Sequence, residues 1–167
     1  MAKNKEEKTN VMRVLEQKKI PYTAHTYAHE EGIAVDGRSA AQRMGKDPAC
    51  VFKTLVARGA SRQIYVFDIP VEEELDLKKA ARAVGEKSVE MIHQKELLPL
   101  TGYVHGGCSP VGMKKLFPTV FHCAVENLPT VIVSAGKIGH QVELAPQDLL
   151  ALVQAETADL TVKQEGA

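Results

Sequence analysis

The segment HGGCSPVG, residues 105–112, brings a histidine, a cysteine and a serine together with three of the chain's 12 glycines. A segment so rich in glycine is predicted to be a shaped loop, the usual setting of binding and catalysis.

A nucleophilic cysteine needs a positioned base and a lowered pKa. His105 precedes two glycines, so nothing in the sequence fixes its ring toward Cys108. Ser109 lacks the spacing of a nucleophile elbow. The pattern favours Cys108 as a small side chain filling a tight loop, and a nucleophilic Cys108 stays open as the alternative.

The same glycines can direct backbone N–H groups toward an oxygen atom. Such a nest holds a carbonyl, a carboxylate or a developing oxyanion. The segment does not match the lysine-containing phosphate loop of nucleotide-binding proteins. Six histidines and three cysteines occur without a C-x-x-C or H-E-x-x-H pattern, so no metal site is predicted.

A lysine, Lys53, interrupts the apolar run VFKTLV. On a strand it points either to solvent or into a cavity, where it presents an ammonium to an electron-rich group. The pattern alone favours solvent. A second lysine, Lys137, is interpreted as a turn residue.

Six strands and five helical segments are predicted to position these residues. Hydrophobic periodicity predicts helices over residues 9–20, 39–45, 75–85, 95–102 and 145–155, and strands over 21–29, 50–57, 64–70, 119–125, 130–135 and 140–144. Ser39 is predicted to cap the second helix, Asp76 to cap the third and Gly85 to end it.

Because the strands do not alternate regularly with helices, the chain is predicted to be α+β, with a mixed or antiparallel sheet that is closed or barrel-like. The 167 residues are predicted to form one domain, with a frayed start over residues 1–8 and a mobile tail after Asp159.

Composition narrows the class of partner and the compartment. Acidic and basic residues balance at 21 each, so a polyanion would have to be held by a local basic patch or delivered by a partner. Three unclustered cysteines predict a reducing compartment. The charged start MAKNKEEKTN is unlike a signal peptide. No run of apolar residues approaches the 18 or more that a membrane span needs, so no span is predicted. The cytoplasm is the predicted location, with no membrane partner and no cofactor.

Several segments together resemble one known family. These are KIPYTAHTY, VFKTLV, LDLKKAARAVGEKSVEM, LTGYVHGGCSPVGMKK and TVIVSAGKIGHQVELAPQDL, within about residues 8–155. They are similar to the bacterial YbaK proteins, free-standing relatives of the editing domain of bacterial prolyl-tRNA synthetases. VFKTLV, G-x-x-x-P and SAGK-x-G are specific in combination and in that order. The resemblance implies a mixed, largely antiparallel barrel-like sheet surrounded by helices.

The activity that the resemblance implies is hydrolysis of the ester in misacylated Cys-tRNA(Pro), with Cys-tRNA(Cys) as a second candidate substrate. It implies catalytic roles for Lys53, Gly106, Gly107 and Ser109, with backbone N–H groups stabilising negative charge on the ester. The residues implied to bind substrate are Tyr27, Thr54, Cys108, Pro110, Ser134 and Lys137. In this mechanism the substrate's own thiol attacks the ester and forms a thiolactone, so Cys108 need not react.

The implied partners are the tRNA acceptor end, gripped at its unpaired nucleotides, and prolyl-tRNA synthetase, which would hand over the misacylated product. Three alternatives remain open at this point. One is a deacylase for another small amino acid such as alanine, and another is a module that binds an aminoacyl end or a synthetase without cleaving it. The third is a general hydrolase that depends on a thiol of its own.

Overall fold

The computed structural model describes residues 8–162, and within this range the chain forms five α-helices and eight strands. In chain order they are α1 (Asn10–Gln17), β1 (Thr23–Thr26), α2 (Gly37–Met44), β2 (Phe52–Gly59), β3 (Ile64–Pro70), α3 (Leu77–Val84), β4 (Val89–Met91), α4 (Gln94–Thr101), β5 (Thr119–His122), β6 (Val131–Lys137), β7 (His140–Leu144), α5 (Pro146–Leu152) and β8 (Glu156–Ala158). Two short 3₁₀ helices occupy Pro48–Cys50 and Cys123–Asn127. The predicted frayed start lies outside the described residues except for Lys8, and so does the tail beyond residue 162.

The strands form two sheets. The smaller has the order β1-β7-β6 and is antiparallel throughout. The larger has the order β4-β2-β3-β5-β8, in which β2 pairs antiparallel with β4 and β3, while β5 pairs parallel with β3 and β8. The predicted α+β class with a mixed, largely antiparallel sheet is confirmed. The described strands do not close into one barrel, because strand pairing joins the two sheets only at an isolated bridge between Val51 and Ile132.

Side-chain alternation along the β2–β3 hairpin divides the core into two. Val56 and Val66 face the smaller sheet and join the main apolar cluster together with α1 and α5. Phe67 and Ile69 point to the opposite face, where α3 covers them with Ala80 and other small side chains. Because successive residues of a strand face opposite sides, one hairpin supplies both layers.

Helix α2 begins at an aspartate. The Asp36 side chain accepts a hydrogen bond from the Ser39 backbone N–H at 3.1 Å, so Asp36 is the N-cap and the prediction of Ser39 as the cap is wrong. A carboxylate three residues earlier satisfies the first free N–H groups of the helix, which therefore begins at Gly37. The prediction for α3 is confirmed, since Asp76 caps it and Gly85 ends it in the left-handed conformation.

Candidate functional site

One cavity of about 200 Å³ lies where the two sheets meet. Its walls come from the first half of β2, the start of α2, the glycine loop (residues 105–112), and polar side chains of the smaller sheet. It is small compared with the roughly 300–1,000 Å³ of sites for drug-sized ligands. Its size suits a small group at the end of a larger molecule.

Six of the ten residues predicted for the site line this cavity. They are Tyr27, Lys53, Thr54, Gly106, Cys108 and Ser134. The other four, Gly107, Ser109, Pro110 and Lys137, are outside the residues that form its wall. Ser109 is fully buried, and its hydroxyl accepts a hydrogen bond from the Val111 backbone N–H at 3.2 Å. The roles assigned to all ten residues remain predictions.

An open strand edge brings Lys53 to the cavity. Strand β4 pairs with β2 only at Ala57–Gly59, so in the described chain the first half of β2 has β3 on one side and the cavity on the other. The Lys53 side chain is half-buried there, and no residue of the described range forms a hydrogen bond or ion pair with its ammonium. Burial lowers its pKa, an effect partly opposed by the negative charges of Glu74 and Glu73.

Burial also acts on the cysteine of the glycine loop. The Cys108 side chain is 8% exposed, and burial, followed by the nearby Asp68, raises its pKa to about 12. The thiol is therefore protonated at neutral pH, whereas a nucleophilic cysteine is present as the thiolate. His105 also lines the cavity, but the structure gives it no hydrogen bond to Cys108. These observations favour the inert interpretation of Cys108.

The glycines of the loop allow it to pack closely against neighbouring backbone. A Cβ at Gly106 would lie 2.6 Å from the Cβ of Ala34, and the φ of Gly106 is +89°. A Cβ at Gly107 would lie 3.1 Å from the backbone nitrogen of Ile138, in the turn between β6 and β7. Neither position tolerates a side chain without displacement. The loop is held against the β6–β7 hairpin, which fixes one wall of the cavity.

An aspartate that the sequence analysis missed lies directly behind this wall. Asp68 on β3 is fully buried, and its Oδ1 shares a hydrogen bond of 2.5 Å with the hydroxyl of Thr54. Its Oδ2 has no partner among the described residues. Burial raises the pKa of Asp68 to about 8. The signal in the sequence was an acid inside the apolar run IYVFDIP.

A glutamine was also missed. Gln141 on β7 lies directly opposite Ser134 on β6, and both line the cavity. The Gln141 side chain is 7% exposed, and its Oε1 has no hydrogen-bond partner in the described part of the chain. The Ser134 hydroxyl accepts from the Gly136 backbone N–H at 3.1 Å, which leaves its own hydrogen for another partner. A ligand in the cavity would meet this polar pair.

A carboxylate lies at the mouth of the cavity. Asp36, the N-cap of α2, is a lining residue, and hydrogen bonds from Ser39 hold its pKa below the usual value. Tyr27, another lining residue, is buried, and its backbone N–H donates to the Gly139 carbonyl at 3.0 Å. The cavity therefore presents one carboxylate, one ammonium, three hydroxyls and one amide, together with the His105 imidazole and the Cys108 thiol.

Within residues 8–162, no three His, Cys, Asp or Glu side chains converge in a way that could hold a metal ion. No helix in the same range is long and apolar enough to cross a bilayer.

The chain as a whole is similar to known proteins. The family described as the aminoacyl-tRNA editing domain matches residues 34–152. An Enterococcus faecalis protein named as a candidate Cys-tRNA(Pro)/Cys-tRNA(Cys) deacylase, EbsC, is 46% identical over 98% of this chain and 100% of its own. A crystal structure described as a candidate trans-editing enzyme for prolyl-tRNA synthetase is 28% identical with a TM-score of 0.78, and covers 92% of this chain and 95% of that one. A crystal structure of a hypothetical protein, 20% identical, shares the fold with a TM-score of 0.80 over 91% of this chain and 99% of its own.

Proposed function

The chain belongs to the aminoacyl-tRNA editing domain family, and from this premise we propose that it is a deacylase of misacylated tRNA. Its proposed substrate is Cys-tRNA(Pro), with Cys-tRNA(Cys) as a second substrate, as in the name of the Enterococcus faecalis relative. The observation that supports this most directly is the cavity itself. It combines a half-buried ammonium with several polar groups, and its own cysteine is protonated and so is not the nucleophile.

An aminoacyl ester is already activated, so the protein has two tasks, to orient the ester and to stabilise charge on its carbonyl oxygen. Lys53 supplies a positive charge that the described residues leave without a direct partner. Backbone N–H groups of the glycine loop are the proposed donors to the carbonyl oxygen, except that of Gly107, which donates to the Val104 carbonyl at 3.0 Å. The Gln141 amide and the Ser134 hydroxyl are available to bind the aminoacyl group, because each has an unused hydrogen-bonding atom.

The proposed nucleophile is the thiol of the substrate's own cysteine. Its sulfur forms a bond to the ester carbonyl carbon and loses its proton, while the bond from that carbon to the ribose oxygen breaks. The ribose oxygen gains a proton, and the products are a thiolactone and tRNA. Alanine has no side-chain nucleophile, and the hydroxyl of serine is a weaker one, so the substrate itself provides the selectivity.

The remaining parts of the proposal concern the partners. A chain with no formal net charge has no long-range attraction for tRNA, so it is proposed to grip only the acceptor end. Prolyl-tRNA synthetase is the proposed source of the misacylated tRNA. The proposed location is the cytoplasm, where charged tRNA is made.

The test of this proposal is single-turnover release of labelled amino acid from Cys-, Ala- and Pro-tRNA(Pro). We expect release from Cys-tRNA(Pro), and a loss of about 10²-fold in its rate for Lys53→Ala, comparable to the removal of one charge-stabilising group. Lys18→Ala, which removes an exposed lysine from the end of α1, is the matched control and is expected to behave as wild type.

The outcomes separate the alternatives. Faster release of alanine than of cysteine would replace the proposed substrate with Ala-tRNA. Binding of the charged tRNA without release of any amino acid would identify a non-catalytic module. A folded Lys53→Ala variant that turns over at the wild-type rate would remove Lys53 from the mechanism.

A further inference from the structure

Asp68 and Thr54 form a buried pair behind the cavity. They lie directly opposite each other on β3 and β2, so their side chains share one face of the larger sheet. The two oxygens are 2.5 Å apart, and Asp68 is completely shielded from solvent. Thr54 itself lines the cavity. The pair therefore connects a buried acid to the site through a single hydroxyl.

The surroundings of Asp68 favour its neutral form. The groups facing it are Thr54 from β2, Cys108 from the glycine loop and the apolar Phe121 from β5. Lys53 is paired with Ile69, so its side chain projects from the face of the sheet that Asp68 does not share. No cation of the described chain interacts with the Asp68 carboxyl. A buried carboxylate without a cation is much less favourable than the uncharged acid. Burial accordingly raises the pKa of Asp68 to about 8, and Cys108, whose pKa is about 12, is neutral in the same range.

The charge state of Asp68 decides which way the Thr54 hydroxyl points. A carboxylate only accepts hydrogen bonds, so with ionised Asp68 the Thr54 hydrogen is directed away from the cavity and toward Oδ1. A protonated carboxyl can donate to Thr54 Oγ1 across the same 2.5 Å. The Thr54 hydrogen is then released to point into the cavity, where both oxygens of an ester are acceptors.

We propose that Asp68 is a positioning residue that, when protonated, donates to Thr54 Oγ1 and thereby aims the Thr54 hydroxyl at an oxygen of the bound ester. This inference rests on the proposed deacylase function and adds a residue to it. Negative charge develops on the carbonyl or ribose oxygen as the ester bond breaks. The Thr54 hydroxyl stabilises this charge through a hydrogen bond and keeps its own proton. Ionisation of Asp68 withdraws that hydrogen and removes the stabilisation.

The experiment measures what the Thr54 hydroxyl contributes at each pH. The Thr54 factor is the single-turnover deacylation rate with Thr54 divided by the rate of the Thr54→Val variant. Since the same substrate enters both rates, the pH dependence of its own thiol and ester cancels. With Asp68 present, we expect a factor of about 10² near neutral pH. We expect it to fall toward one as the pH rises past about 8.

The matched background is Asp68→Asn, whose amide keeps a hydrogen-bond donor but does not titrate. In that background the Thr54 factor is expected to be independent of pH. Asp68→Leu is the second background, in case the amide does not fold there. It removes the titrating group and replaces an acid with an apolar side chain of similar size, so its factor is also expected to be independent of pH. Circular dichroism and melting temperature confirm the fold of each variant.

Three results would overturn the inference. They are a factor that stays constant with pH when Asp68 is present, a factor of one at every pH, and the same decline in a background without Asp68. If the wild type is active and any of these three results is obtained, Asp68 does not position Thr54, but the proposed deacylase function still holds. A wild type inactive on every aminoacyl-tRNA would defeat the proposed function, and this inference with it.

Discussion

Burial shifts the pKa values of three ionisable side chains at or behind the cavity in the directions that favour their neutral forms. It lowers the pKa of Lys53 and raises the pKa values of Cys108 and Asp68, to about 12 and about 8. Because its thiol stays protonated, Cys108 is not the thiolate that cysteine catalysis requires. At the scale of single residues, this supports the proposal that the reactive sulfur is carried by the bound substrate.

The prediction at the scale of single residues concerns Cys108. We expect Cys108→Ala to fold and to retain most of the deacylation rate, because the thiol is protonated and takes no part in the bond changes. Iodoacetamide is expected to label the exposed Cys123 long before Cys108. Single-turnover deacylation of the variant, with mass spectrometry of the labelled wild type, measures both. Cys123→Ala is the control and is expected to keep full activity. A Cys108→Ala variant that folds but is inactive would restore the alternative in which the enzyme supplies the nucleophile.

The sequence predicted some residues of the cavity and missed others for physical reasons. Alternation along β2 favoured a solvated Lys53, because the pattern cannot tell that β4 leaves the first half of that strand uncovered. Only the resemblance to a family pointed the residue inward. Asp68 and Gln141 were missed because each owes its place to a partner on another strand, Thr54 and Ser134 respectively. Strand register, which sequence periodicity does not supply, brings such pairs together.

At the scale of elements, the glycine loop and the β6–β7 hairpin act as one unit, which predicts the effect of a single methyl group. Gly106→Ala combines a positive φ with a Cβ 2.6 Å from that of Ala34, whereas Gly85→Ala meets open space at a similar φ of +74°. The Gly85 variant is expected to lose about 1 kcal/mol of stability, as for a strained helix end. Gly106→Ala is expected to lose more and also to slow deacylation, since the cavity wall moves.

Chemical denaturation and single-turnover rates measure the two variants side by side. Equal losses of stability, with normal deacylation by Gly106→Ala, would show that the loop can move away from Ala34 without harm. That result would contradict the close packing of the loop as the reason for its glycines.

Elements with strong local signals were predicted better than those defined by distant partners. Helix α3 was identified by its cap and its terminal glycine, both local features. Strands β4 and β8 were missed, because each has three residues and exists through pairing with β2 or β5. The predicted mobile tail is wrong for residues 160–162. There, Leu160 is fully buried, and backbone hydrogen bonds tie it and Val162 to the chain before α3.

At the scale of the whole molecule, the cavity owes its existence to the division of the strands into two sheets. The sequence predicted the mixed class because strand and helix patterns are local, but closure depends on how sheet edges meet. One bridge, Val51 to Ile132, joins the sheets, and the open edge of β2 beside it forms a wall of the cavity. A closed barrel would have paired that edge and removed the opening.

A buried acid also leaves a signature in the stability of the whole protein. Asp68 has a folded pKa of about 8 against an ordinary 3.8, so between pH 5 and 7 the folded state holds one proton that the unfolded state has lost. The stability that this proton provides is complete below pH 3.8 and is lost as the pH rises through 8. Each pH unit in that window therefore lowers the free energy of unfolding by about 1.4 kcal/mol.

Asp68→Asn removes this dependence, because an amide does not titrate. The free energy of unfolding of the variant, relative to wild type, is expected to rise by about 3 kcal/mol from pH 5 to pH 7 and to level off above the pKa of Asp68. Urea denaturation at a series of pH values measures the difference, and contributions from all other groups cancel in it. Parallel curves for the two proteins would mean that Asp68 is already ionised in the folded state, so that the Thr54 hydroxyl donates to Asp68 and its hydrogen points away from the cavity at neutral pH.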